Sequence, residues 1–108
     1  DVGGIAEMKF IAEYADLHGI LFAPHGVFDG LIGLAAQTHL AAVLPDNFIA
    51  FELPQAKPEW WLDIMDGERF PVKDSHIEVP DTPGLGVSFI PEEAKKYLRE
   101  EDANFFDD

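Results

Sequence analysis

Two residues in this sequence join ionisable chemistry to a position at the end of an apolar run. His25 comes two residues after the run Ile20-Leu21-Phe22-Ala23, across Pro24, and Glu52 directly follows Phe48-Ile49-Ala50-Phe51. An imidazole titrates near neutrality, so it can give or take a proton at physiological pH. A carboxylate beside it can hold a substrate oxygen or tune the imidazole. In parallel α/β architectures, catalytic groups collect at the carboxyl ends of strands. Neighbouring strands lie about 4.8 Å apart, so adjacent strands would set His25 and Glu52 at one mouth. Spacing alone also leaves a plainer reading open. A histidine after a proline is commonly a turn residue, and a glutamate after a strand is commonly solvated.

Other candidates carry less. The histidines at 18, 25, 39 and 76 lack the short pairwise spacings of a zinc site. His18 reads as a cap residue at the negative end of a helix. His39 reads as a hydrogen-bonded core residue and His76 as a surface strand residue. Trp60 and Trp61 suit packing, or stacking on a sugar. Gly84-Leu85-Gly86 lacks the following helix and lysine of a phosphate loop.

The elements that must position these groups follow from periodicity. Ile5, Met8, Ile11, Ala12 and Ala15 recur at helical steps and predict a helix over residues 4–18, ended by Gly19. Residues 20–23 are apolar on both faces and predict a buried parallel strand that Pro24 ends. Residues 30–44 predict a second helix, stopped by Pro45. Residues 48–51 predict a second buried strand, so strand, helix and strand have the size of a right-handed crossover unit. Residues 54–75 read as extended, with one helical turn near 62–65. Residues 76–79 read as an edge strand, 81–87 as turn chemistry and 91–100 as a last helix with Pro91 at its start. The acidic tail, 101–108, reads as frayed unless Phe105 and Phe106 dock.

Composition bounds the partners. Of 108 residues, 47% are apolar and 26% charged, which suits a folding chain rather than a disordered one. Asp plus Glu number 21 against 7 Lys plus Arg, for a net charge of -14. Such a surface repels phosphate backbones and anionic membranes, so neither nucleic acid nor membrane is expected as a partner. The absence of cysteine excludes a disulfide scaffold and thiolate zinc sites, and fits a reducing compartment. The most apolar stretch, 31–44, is shorter than the roughly 20 residues that span a bilayer. The N-terminus has no signal-peptide pattern. The chain is expected to be soluble and cytoplasmic.

Two parallel strands cannot stand alone, because both faces and both edges need cover. A closed eight-stranded barrel needs about 250 residues. The expected fold is therefore α/β, the C-terminal portion of a TIM-type (β/α) barrel, with residues 1–53 as its last βα units and 54–108 as a C-terminal extension.

The sequence resembles the C-terminal part of the mandelate racemase and muconate-lactonizing group of the enolase superfamily. Gly3-Gly4-Ile5 before an alanine-rich helix resembles the family's turn after strand six. Gly19-Ile20 through Ala23-Pro24-His25 resembles strand seven with its catalytic histidine. His39-Leu40-Ala41-Ala42 through Pro45-Asp46-Asn47 to Phe51-Glu52 resembles helix seven and strand eight. Val79-Pro80-Asp81-Thr82-Pro83-Gly84-Leu85-Gly86-Val87 resembles the closing motif, where the tail returns toward a capping domain. Ala23-Pro24-His25-Gly26 and Glu52-Leu53-Pro54 are most similar to the sugar-acid dehydratases, whereas the lactonizing branch uses paired lysines.

That resemblance implies a Mg2+-dependent dehydratase acting on a small-molecule carboxylate such as an aldonate or aldarate. Racemase, epimerase, cycloisomerase or a non-catalytic relative are the alternatives. The Mg2+ ligands are expected upstream, and no metal ligand is assigned in this chain. The resemblance gives His25 an acid/base role and gives Glu52 a hydrogen bond to the substrate carboxylate or its enediolate. The family's histidine pairs with an aspartate several residues before the glycine pair. Asp1 abuts Gly3-Gly4 more closely than that, so either Asp1 is the partner or the partner lies upstream. The full-length protein is expected to be a homo-oligomer.

Overall fold

The computed structural model describes residues 2–26, 29–50, 52–53 and 58–107. Helix α1 covers Ile5–Leu17. It ends as the sequence predicts: Gly19 takes φ 65°, its N–H donates to Asp16 O at 2.9 Å, and the Ile20 N–H donates to Ala15 O at 3.0 Å. These bonds satisfy carbonyls that the helix end would leave unpaired, and glycine meets no Cβ penalty there. Of the apolar stripe on α1, Ala12 is buried while Ile5 and Ile11 remain exposed.

Helix α2 covers Gly30–Ala41 and buries Leu31, Ala35, Thr38 and Leu40. It ends short of the expected residue 44. Val43 N–H donates to Leu40 O and Leu44 N–H to Ala41 O, which tightens the last turn. Leu44 precedes Pro45, and a residue before proline is pushed out of helical backbone.

The two expected buried strands form a single parallel bridge, between Phe22 and Phe48. Phe22 N–H donates to Asn47 O at 2.8 Å, and Ile49 N–H donates to Phe22 O at 3.1 Å. The direction is the predicted one, but the length is not. Pro24 has no N–H to extend the ladder, and Ile20, Leu21 and Ile49 lie exposed without a further layer. Residue 51 of the second predicted strand is outside the described residues.

The second half holds more structure than the predicted extended segment. A turn of helix α3 spans Trp60–Asp63. Strand β1 (Met65–Gly67) pairs antiparallel with β4 (Val87–Phe89), and β2 (Val72–Lys73) pairs antiparallel with β3 (His76–Ile77). Asp74 and Ser75 both take positive φ, 50° and 63°, as a two-residue hairpin turn of the mirror-image type requires. Leu31 and Ala35 of α2 pack with Met65 and Phe70 to form the core, flanked by Leu34, Ile64, Ile77, Leu85 and Val87. The predicted last helix is cut short: α4 spans Pro91–Ala94 and tightens into a 3-10 turn over Lys95–Tyr97. The tail docks, with Phe106 against Phe89 at a ring separation of 5.8 Å.

The Cα radius of gyration is 15.8 Å, against about 13 Å for a closed domain of this length. The excess matches the exposed apolar residues along α1 and the bridge. Among the described residues, no helix is long and apolar enough to cross a membrane.

Candidate active site

The Phe22–Phe48 bridge brings the two predicted residues together. Past it, the next bond runs from Glu52 N–H to Pro24 O, 3.2 Å. The acceptors Phe22 and Pro24 are two residues apart, while the donors Ile49 and Glu52 are three apart. The second segment thus carries one extra residue, as in a bulge. Because side chains alternate faces along a strand, a slip of one residue exchanges faces. Without it, Glu52 would point to the face opposite His25. With it, the Glu52 carboxylate pairs with Nδ1 of His25.

This pair is open to solvent: the His25 side chain is 76% exposed and that of Glu52 53%. An ion pair so exposed adds little to stability, because water screens it. Its chemical effect is orientation. The contact engages Nδ1 and not Nε2.

Gly26, directly after His25, lies over α2. Pro24 and Gly26 are buried. A Cβ at Gly26 would sit 2.3 Å from Nε2 of Gln37, so a larger residue there would displace that amide. Gln37 in turn donates from Nε2 to Oδ2 of Asp29 at 2.7 Å. Gln37 and Asp29 are residues that the sequence reading does not single out, and Asn47 enters it only within Pro45-Asp46-Asn47, with no role of its own. Their part depends on packing between distant segments, and residue type alone gives no signal of it.

The other predicted residues fall elsewhere. His18 caps α1 and packs on Tyr14 at 4.8 Å. His39 contacts Leu85 O at 3.3 Å through Nε2 and meets Phe70 edge-on. His76 is exposed on β3, with Nδ1 2.6 Å from Asp74 O. Trp61 is buried, and Trp60 lies against Tyr97 at 6.1 Å. Asp1 is outside the described residues.

Comparison with known proteins is decided by one match. The profile of the family described as enolase C-terminal domain-like covers residues 1–94. The chain belongs to that family. As an enolase C-terminal domain-like chain it is 36% identical over 87 residues to a D-xylonate dehydratase of Haloferax volcanii, a match covering 81% of this chain and 20% of that protein. It is 31% identical over 99 residues to a chloromuconate cycloisomerase of Pseudomonas putida, covering 92% of this chain and 26% of that one. A crystal structure of a mandelate racemase/muconate lactonizing enzyme-like protein from Rubrobacter xylanophilus superposes with a TM-score of 0.74 at 35% identity, over 91% of this chain and 24% of that one.

The chain therefore spans about a quarter or less of the length of these relatives. Its fold is that of the C-terminal part of an enolase-type (β/α) barrel. The parallel bridge and the open apolar flank agree with a segment of such a barrel. Enolase superfamily members generally use Mg2+. Among the described residues, no three His, Asp or Glu side chains converge to hold a metal ion.

Proposed function

We propose that the protein carrying this chain is a cytoplasmic, Mg2+-dependent, homo-oligomeric sugar-acid dehydratase, with its Mg2+ ligands in residues outside this chain. The reaction removes the proton α to a carboxylate and the hydroxyl on the β-carbon, releasing water. The enol that remains relaxes to a 2-keto-3-deoxy acid. The observation that carries this reading is the His25–Glu52 pair at the carboxyl ends of two parallel segments. Three of the relatives, named as D-xylonate, D-gluconate and arabinonate dehydratases, support the branch.

His25 acts through Nε2. Protonated, it hands its proton to the departing β-hydroxyl, which then leaves as water rather than hydroxide. Glu52 balances the imidazolium and fixes the ring while Nδ1 is engaged. The carboxylate oxygen of Glu52 that does not face His25 remains for substrate. Toward a substrate hydroxyl it accepts a hydrogen bond. Toward a carboxylate or enediolate oxygen, Glu52 must itself carry the proton.

A racemase or cycloisomerase on the same scaffold is the competing reading, which the cycloisomerase relatives keep in play. One assay separates the two. The full-length protein is incubated with Mg2+ and a library of acid sugars, and 2-keto acids are detected. A keto product is expected. Turnover without a keto product points to the competing reading, and light scattering of the same sample reads the oligomer.

A further inference from the structure

We infer that Asn47 is a positioning residue: its side chain sets the strand register that brings Glu52 opposite His25. The inference deepens the proposed use of that pair and rests on it for its catalytic consequence.

Asn47 is a polar residue only 6% exposed. Its Nδ2 donates to Ala12 O in α1 and to Ile20 O at the start of the first parallel segment, each at 3.0 Å. Its backbone carbonyl accepts the Phe22 N–H at 2.8 Å. One residue thus grips the helix, the first segment twice, and the second segment of which it is part. The contact with Ile20 is the telling one. In an unbroken parallel ladder, the donor two residues before Ile49 would bond the acceptor two residues before Phe22. That rung falls between residues 47 and 20, and it is the Asn47 side-chain amide that reaches Ile20 O.

The turn that delivers Asn47 is closed by Phe48 N–H donating to Pro45 O at 3.0 Å. Entry to the second segment is therefore fixed at both its turn and its first rung. Downstream, the chain takes up one extra residue before Glu52 N–H meets Pro24 O. If the whole second segment, extra residue included, slid by one residue along the first, Glu52 would pass to the face opposite His25. A side chain with two donors aimed at two different segments opposes such sliding. A carboxylate or methyl at 47 does not, because neither can donate to Ala12 O or to Ile20 O.

The experiment uses the full-length protein and N47A. Hydrogen exchange is measured at the amides of Phe22, Ile49 and Glu52, with Ala35 of α2 as the internal reference, and kinetics are measured per folded molecule. Loss of the clamp is expected to speed exchange at Phe22 and Glu52 by about tenfold or more while Ala35 stays within about twofold. The kcat is expected to fall by about tenfold or more with KM changed by less than about threefold, as for a misplaced proton donor. Unchanged exchange at Phe22 and Glu52, or acceleration equal to that of Ala35, overturns the register claim. A wild-type kcat alongside the local acceleration overturns the catalytic consequence. If N47A does not fold, N47S, which retains a single donor, is measured in the same way with the same deciding outcomes. A wild-type protein without activity on acid sugars sinks the dehydratase reading alone, because the exchange measurement needs no substrate.

Discussion

Nδ1 of His25 meets the Glu52 carboxylate because the segment bearing Glu52 holds one residue more than the segment bearing His25. The pair is exposed, so the fold gains little from it. A contact that contributes little to stability yet depends on an irregularity in the ladder makes the pair a candidate for function.

Activity and stability should therefore separate at this pair. His25→Asn removes the proton carrier, and kcat is expected to fall by at least about 100-fold. Glu52→Ala frees the ring and is expected to lose more activity than Glu52→Gln, which keeps an acceptor for Nδ1 but not the charge. Neither Glu52 variant should change the unfolding free energy by more than about 1 kcal/mol. Keto-acid formation and a denaturant titration of the full-length protein read the two effects. Full turnover by His25→Asn removes His25 from the mechanism.

The helices and the meeting of His25 with Glu52 were legible because their signals are local. The α1 stripe repeats at helical steps and Gly19 stands where a left-handed cap belongs. His25 and Glu52 each end an apolar run. What was not legible depends on distant partners. Met65-Asp66-Gly67 has no alternating pattern of its own and becomes a strand by pairing with Val87–Phe89. The Asp74-Ser75 turn lacks the glycine that marks most such hairpins. The extra residue before Glu52 is invisible in composition, since any residue can fill a bulge. The roles of Asn47 and Gln37 appear only once α1, α2 and the parallel segments are assembled.

Two glycines should differ in the cost of an added methyl. At Gly67, φ is 102°, and a Cβ would lie 2.3 Å from the backbone oxygen of Gly86. That oxygen accepts the Glu68 N–H at 2.9 Å, so it cannot withdraw without opening the β1–β4 ribbon. Gly67→Ala is expected to destabilise by about 3 kcal/mol from strain and overlap together. At Gly26 the overlap is with the flexible end of Gln37. Gly26→Ala is expected to lose about 1 kcal/mol, the net worth of the displaced Gln37–Asp29 bond. Gly26→Ala with Gln37→Ala should then be no worse than Gln37→Ala alone. Urea unfolding of the four variants tests the order, and a larger loss at Gly26 than at Gly67 contradicts it.

Alkaline pH should loosen the tie between α3 and the C-terminal turn. The Tyr97 hydroxyl donates to Oδ2 of Asp63 at 2.7 Å. That bond raises the Tyr97 phenol above its ordinary value of 10.0, with smaller contributions from desolvation and from the charges of Asp63, Glu93 and Glu59. Because the folded value is the higher one, the unfolded chain sheds this proton first as pH rises. The contribution to stability is whole below pH 10.0 and is lost as pH climbs through the raised folded value. A spectrophotometric tyrosinate titration of the wild-type protein should show a step above 10.0 that Tyr97→Phe lacks and that Asp63→Asn moves downward. The stability advantage of wild type over Tyr97→Phe should shrink across the same interval. A Tyr97 step at or below the ordinary phenol value, or an advantage that grows with pH, would mean that the hydroxyl does not hold Asp63 in solution.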